Sequence, residues 1–252
     1  MLKIKNKDEK NAEIYISGNI VDDADGDFLS SVWGVEDGYE WPAKIRQQLD
    51  ELKGKDLTIY INSDGGYVAA GVAMANMIAR HEGHTTAVVD GWCCSIATQI
   101  FFSADERKMP ENAYLMIHKP AVAVAGDAYD LRKTADVLDT LQEGLETTYR
   151  NAAKEGVTAE AITEMVNEET WLTGAEASKI FDIALLAKSE AVACAGKKPM
   201  NFKKVPDDLR FSDRGKDPAE IKNVESVDNT MDKCRIEAAL AIAKGVLKDE
   251  EV

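Results

Sequence analysis

Apolar positions along this chain recur with a period of two in some stretches and near 3.6 in others, the repeats of half-buried strands and amphipathic helices. Ala12 to Ile20 alternates through Ile14 and Ile16 and predicts a first strand, followed by an acidic turn, Asp22-Asp23-Ala24-Asp25-Gly26-Asp27. Pro42 opens a helix with Ile45, Leu49 and Leu52 on one face, and Gly54 closes it. Leu57 to Ser63 is a strand ending in Asp64-Gly65-Gly66, after which Val68, Val72, Met74 and Ile78 mark a helix from Val68 to Arg80. The β-branched run Thr85, Thr86, Val88 and Val89 predicts a buried strand. It leads through an apolar turn, Gly91 to Thr98, into a helix from Ile96 to Ala104. Ala113 to Ile117 is an apolar strand that ends at His118.

Beyond Pro120 the small residues Ala121 to Gly126 read as extended chain. Leu131, Leu138, Leu141, Leu145 and Tyr149 then stripe a helix from Asp127 to Lys154, a rod of about 42 Å that outruns one domain of this size. Thr158 to Val166 predicts a short helix, and Thr173-Gly174-Ala175-Glu176 carries a capping-box pattern for a helix to Ile180. Strand, glycine turn and helix alternate, the pattern of an α/β domain with parallel strands. That domain is expected over residues 1–187. Residues 188–252 read as a polar linker followed by an amphipathic helix, Met231 to Lys248, with Ile236, Leu240, Ala243 and Leu247 on its stripe.

Composition narrows the classes of function. With 45% hydrophobic and 30% charged residues, the 252-residue chain is long enough for one good-sized core plus an extension. A net charge of −15 and a pI near 4.7 argue against nucleic-acid and anionic-membrane partners. The most apolar stretch, Thr85 to Phe102, is broken by Asp90, Ser95 and Gln99, so no membrane span is expected. Met1 to Lys7 is basic with no apolar run behind it, which predicts no signal peptide and a cytoplasmic protein. The four cysteines agree, since Cys93 and Cys94 are adjacent, Cys194 and Cys234 are far apart, and no metal-binding spacing occurs.

Candidate chemistry gathers at the predicted strand ends. Ser95 falls at a strand-to-helix junction, where free backbone N–H groups suit a nucleophile whose reaction develops an oxyanion. Serine is also a common N-cap, so this position alone does not decide. Cys94, beside it, is the alternative nucleophile. Gly65-Gly66 and His118 stand at two other strand ends. The Gly-Gly junction lacks the residues of a nucleotide-binding loop and reads as close backbone approach to a substrate carbonyl. The aspartates at 22–27 lack the glycine and closing glutamate of a calcium loop, and His81 and His84 lack a third ligand. No metal or cofactor is expected.

Taken in order, I-N-S-x-G-G (Ile61 to Gly66), G-x-x-x-S (Gly91 to Ser95), M-I-H-x-P (Met116 to Pro120) and x-x-W-L-T-x-x-E-A (Glu169 to Ala177) resemble the Clp protease proteolytic subunit family, ClpP. The resemblance runs from about Ala12 to Leu186. It implies a ClpP/crotonase-like fold, a repeated ββα superhelix with a long handle helix. By the same resemblance Ser95 is the nucleophile, His118 the general base and Glu169 the acid, at a position where the family has aspartate. Glu168 and Asn167 are the neighbours able to replace it. The resemblance also implies an oxyanion hole of the Gly66 and Ile96 amides. Substrate peptide would lie against Gly65, Tyr67 and Val68 on one side and Pro120, Ala121 and Val122 on the other. A homo-oligomeric ring, heptameric in the family, is expected, with an ATPase or capsid partner. The ring-to-ring Asp-Arg pair of the family becomes Asn167-Glu168 here. Val32-Trp33-Gly34 and the tail resemble the phage-encoded, head-maturation branch. Two alternatives are a crotonase-like acyl-CoA enzyme and a non-catalytic assembly protein on the same scaffold.

Overall fold

A computed structural model describes residues 5–6, 8–34 and 37–186. The expected linker and helix Met231 to Lys248, Cys194 and Cys234, and the boundary between residues 187 and 188 lie outside the described residues.

Alternating side chains build the sheet. β1 (Lys5–Asn6) pairs antiparallel with β2 (Asn11–Ile20), whose far end takes the short parallel β3 (Tyr39–Glu40). β4 (Asp56–Gly66) runs parallel to β2, and β5 (Thr85–Cys94) runs parallel to β4. Ile14, Ile16, Ile59, Ile61, Ala87 and Val89 are fully buried on one face of these three central strands. β5 then forks the sheet. Its first half pairs with β6 (Glu106–Pro110) and its last three residues, Trp92 to Cys94, pair with β7 (Tyr114–Ile117). β8 (Thr170–Thr173) lies antiparallel on β7, and β9 (Ala184–Leu186) lies parallel on β6.

The fork sits where β4 and β5 lose register, between Ile61↔Val89 and Ser63↔Cys93, so that β5 carries two residues more than β4 over this interval. Asn62 fills the irregularity, its Oδ1 accepting from the Trp92 N–H at 3.1 Å. A side chain at Gly91 would press on that same oxygen at 2.9 Å. The bulge bends β5 and curls the sheet, which turns the end of β5 toward β7.

Apart from α1, the helices fall where the sequence predicts them. α1 (Asp23–Trp33), α2 (Pro42–Glu51) and α3 (Val68–Ala79) are followed by α4 (Ala97–Phe102), all of whose residues are buried. α5 (Ala128–Ala152) has 25 residues, hence about 38 Å. Its C-terminal half buries Leu145, Glu146, Tyr149 and Ala152, whereas Tyr129, Leu131 and Val137 nearer its start are exposed. α6 (Ala159–Asn167) is capped by Thr158, and α7 (Gly174–Ile180) by the expected reciprocal box of Thr173 and Glu176. The architecture is the expected one, α/β on a curled, mainly parallel sheet with one long helix.

Three expectations change. The acidic turn is the start of α1: Asp22 is its N-cap, accepting from the Asp25 N–H at 2.8 Å, and Asp23 and Asp25 meet the positive end of the helix. The same residues that look like a solvated turn are therefore a helix start. The apolar turn Gly91 to Thr98 contracts to Ser95-Ile96, because β5 continues through Cys94 and α4 begins at Ala97. The strands are not all parallel, since β8 returns along β7 and β1 along β2.

Candidate active site

Ser95 ends up between β5 and α4 with φ 55°, a left-handed conformation that costs a non-glycine residue about 1–3 kcal/mol and needs its surroundings to enforce it. They do so from three sides. Its N–H donates to the Met116 carbonyl on β7 at 2.9 Å. Its carbonyl accepts from the Thr98 N–H at 3.0 Å and from the Thr98 hydroxyl at 2.6 Å. Gly65, at φ 94°, lies against its Cβ, so closely that an added methyl would stand 2.8 Å from the Ser95 Cβ and from the Cys94 carbonyl, and 3.2 Å from the Ile96 nitrogen.

The Gly65-Gly66 turn is itself shaped by the motif around it. Ser63 Oγ donates to the Gly18 carbonyl at 2.6 Å and accepts from the Gly65 N–H at 3.1 Å. Gly66 is packed on the Ile20 backbone, where a side chain would meet the carbonyl oxygen at 1.9 Å. Gly65→Ala is expected to destabilise the fold by about 1–3 kcal/mol and to displace Ser95, because both the left-handed backbone and the space forbid the methyl. Denaturant unfolding beside the rate of Ser95 modification checks this, and wild-type values for both would contradict it.

His118 follows β7 directly, and its Nε2 lies 2.8 Å from Ser95 Oγ. Both side chains are half-buried. Glu169 precedes β8. Its neighbour Thr170 pairs with Ile117, the residue before His118. Glu169 is the other non-glycine residue at positive φ among the described residues, at 53°, and is half-buried, whereas Glu168 and Asn167 are exposed. Asn167 is turned to α5, where its Oδ1 accepts from Gln142 Nε2 at 3.1 Å. A hydroxyl 2.8 Å from an imidazole can carry out nucleophilic attack with general-base assistance.

Cys94 does not share that exposure. It is fully buried, and burial first, then Cys93, Asp64 and Glu169, push its thiol well above the usual cysteine range, which disfavours the thiolate a cysteine nucleophile requires. Asp64, beside the glycine turn, is pushed up by burial alone. His81 and His84 diverge: His81 Nε2 lies 2.8 Å from the Lys55 carbonyl, and His84 lies 3.6 Å from the Asp105 and Glu106 carboxylates.

Of the expected substrate residues, Tyr67 is exposed, Val68 and Pro120 are half-buried, and Ala121 and Val122 lie in an exposed irregular segment. Sequence reasoning missed a groove of about 360 Å³ that begins at Val68 and is lined by Val72, Gln99, Leu141 and Leu145. It lies between α3, α4 and α5, elements whose packing the periodicity of each one alone does not specify.

The sequence model of the family described as Clp protease matches residues 42–181, more than half of the chain and all of the elements just described from α2 to α7. The chain belongs to the Clp protease family. Curated relatives in that family include the ATP-dependent Clp protease proteolytic subunit 2 of Bifidobacterium longum, 28% identical over 125 residues, which are 49% of this chain and 59% of that subunit. The corresponding subunit of Bacteroides fragilis is 27% identical over 139 residues, 54% of this chain and 66% of its own length. Subunit 3 of Rhizobium etli is 26% identical over 157 residues, 60% of this chain and 80% of that subunit. The chain thus spans about 60% of the length of several relatives it matches. Within the Clp protease family, the curled sheet and long α5 seen here are the ClpP-like fold that the motifs implied.

Proposed function

We propose that this chain is a serine endopeptidase that cleaves peptide bonds through an acyl-enzyme. The observation that carries the reading is the 2.8 Å approach of His118 Nε2 to Ser95 Oγ, at a left-handed turn backed by Gly65. Ser95 Oγ attacks the peptide carbonyl carbon as His118 takes its proton. The same proton passes to the leaving amine when the C–N bond breaks, and a water repeats the sequence to release the acid. Glu169, just before β8, orients the imidazole and stabilises its charged form. The oxyanion is received by the N–H groups of Gly66 and Ile96, with the peptide extended between Gly65 to Val68 and Pro120 to Val122, and a side chain of the peptide in the groove from Val68 to Leu145.

A fluorophosphonate probe tests the reading. Label is expected on Ser95 of the wild type and absent from His118→Ala. An unlabelled wild type overturns it in favour of a crotonase-like enzyme or an assembly protein, neither of which needs the serine–histidine pair.

The active form we propose is a ring of copies, heptameric as in the family. Support comes from the apolar residues Tyr129, Leu131 and Val137, exposed along the first half of α5. Light scattering at micromolar concentration is expected to show an oligomer, and a stable monomer would contradict it. The substrate we propose is a capsid protein, on the resemblance of Val32-Trp33-Gly34 and the residues past Lys188 to the phage-encoded branch. An ATPase is the partner the housekeeping branch would take. The mass of a candidate capsid protein after incubation with wild type and with Ser95→Ala distinguishes these, and equal masses overturn the capsid assignment. We place the protein in the cytoplasm or a procapsid, in keeping with the finding that no described helix is long and apolar enough to cross a membrane.

A further inference from the structure

We propose that Thr98 and Tyr149 form a buried hydroxyl clamp that holds Ser95 in its left-handed conformation and so aims its Oγ at His118; its consequence for reactivity rests on the serine peptidase reading above. The two residues are positioning residues, since neither touches the reacting atoms.

The direction of each hydrogen bond follows from proton counting. Thr98 Oγ1 carries one proton and lies 2.6 Å from the Ser95 carbonyl oxygen, which can only accept. That proton is therefore committed to Ser95. Tyr149 OH, 2.7 Å from the same Oγ1, must then be the donor in their bond. The chain runs from phenol to threonine hydroxyl to the Ser95 carbonyl, and each link polarises the next. With the Thr98 N–H at 3.0 Å, both lone pairs of the Ser95 carbonyl are engaged.

The far end of the chain is rigid. Tyr149 is 1% exposed, and its ring sits edge-on to Phe102 at 5.9 Å and against Phe181 at 6.4 Å between centroids. Burial pushes its phenol up to about 12, so it keeps the proton it donates at any working pH. Gln99 adds a second tie between α4 and α5, its Nε2 donating to the Leu145 carbonyl at 3.2 Å. A threonine hydroxyl bonded to the carbonyl three residues back is common in helices. Here that carbonyl belongs to a residue outside α4, with φ 55°, that has to be held against its own preference. Tyr149 restrains the hydroxyl that does the holding.

The test uses Thr98→Val and Tyr149→Phe, which remove one hydroxyl each and keep the shape of the core, together with Thr98→Ser, which keeps the hydroxyl. Two quantities are measured: the rate of Ser95 labelling by a fluorophosphonate, and hydrogen exchange of the backbone amides from Ser95 to Gln99. Labelling is expected to slow by about tenfold in each of the two, with kcat for a peptide substrate falling alike and KM unchanged. Because both hydroxyls act in one chain, the double variant should be no slower than the slower single, and Thr98→Ser should stay within about twofold of wild type. Exchange at the Thr98 amide should quicken in Thr98→Val and Tyr149→Phe. Labelling at the wild-type rate in variants with lowered thermal stability overturns the proposal and leaves the pair as core filling. Unchanged exchange at Thr98 overturns it as well. A wild type that takes no label while the exchange effect is present removes the peptidase reading and the reactivity half with it, and supports the backbone clamp.

Discussion

Ser95→Ala should abolish peptide cleavage and fluorophosphonate labelling while leaving the fold and any assembly in place. Loss of the nucleophile of an acyl-transfer enzyme costs on the order of 10⁶ in kcat, and the remaining machinery contributes only a residual rate over water. Little of the structure rests on the hydroxyl itself. The turn is held through the Ser95 N–H on Met116 and its carbonyl on Thr98, both of which alanine retains, and the Cβ that Gly65 packs against is unchanged. Circular dichroism and thermal unfolding should therefore match wild type within a few degrees, at about 1 kcal/mol or less of lost stability. His118→Ala should be equally inactive, because without a base at 2.8 Å the serine hydroxyl stays protonated and unreactive. Turnover above a tenth of wild type in Ser95→Ala would move the nucleophile to Cys94 and sink the serine assignment. The full burial of Cys94 and the upward push on its thiol run against that outcome.

Much of this arrangement was legible in the residues. Strict alternation in Ala12 to Ile20 and Leu57 to Ser63 and the capping box at Thr173 express local rules, and β2, β4 and α7 formed where those rules put them. The Gly-Gly turn, Ser95 and His118 were readable because each closes a strand, so that parallel strands bring their ends together. Features that depend on two elements at once were not readable. β6 begins with Glu106, Arg107 and Lys108 and buries only Met109 and Pro110, so it owes its place to the edge of β5 and not to its own pattern. The N-cap role of Asp22 was hidden because aspartate serves turns and helix starts alike. Thr98, Gln99 and Tyr149 read as ordinary helix and stripe positions. The bonds of Thr98 to Tyr149 and of Gln99 to Leu145 exist only because α4 packs against α5.

Glu169 is where the sequence leaves its family's pattern, and Glu169→Gln should lower turnover by about 10⁴-fold with little change in substrate binding. The amide keeps the shape and the capacity to hydrogen-bond, but it carries no charge and can donate to the imidazole. The histidine would then present a proton toward Ser95, the wrong tautomer to receive one, and the imidazolium formed in the transition state would lose its counter-charge. Both effects act on the transition state and not on the bound peptide, so kcat falls while KM stays. Chain position and burial argue for this residue over its neighbour. Ile117, beside His118, pairs with Thr170, beside Glu169; Glu169 is half-buried, and Glu168 is exposed at the end of α6 with its N–H donating to the Glu164 carbonyl at 2.9 Å. Glu169→Asp should be the milder change, because it keeps the charge and restores the acid found in the family. Steady-state kinetics on the glutamine and aspartate variants of both positions decide the matter. A silent Glu169→Gln beside a damaging Glu168→Gln would shift the acid by one residue. If both are silent, the centre works as a serine–histidine dyad, and the rate of wild type over Ser95→Ala then measures all the catalysis that the pair provides.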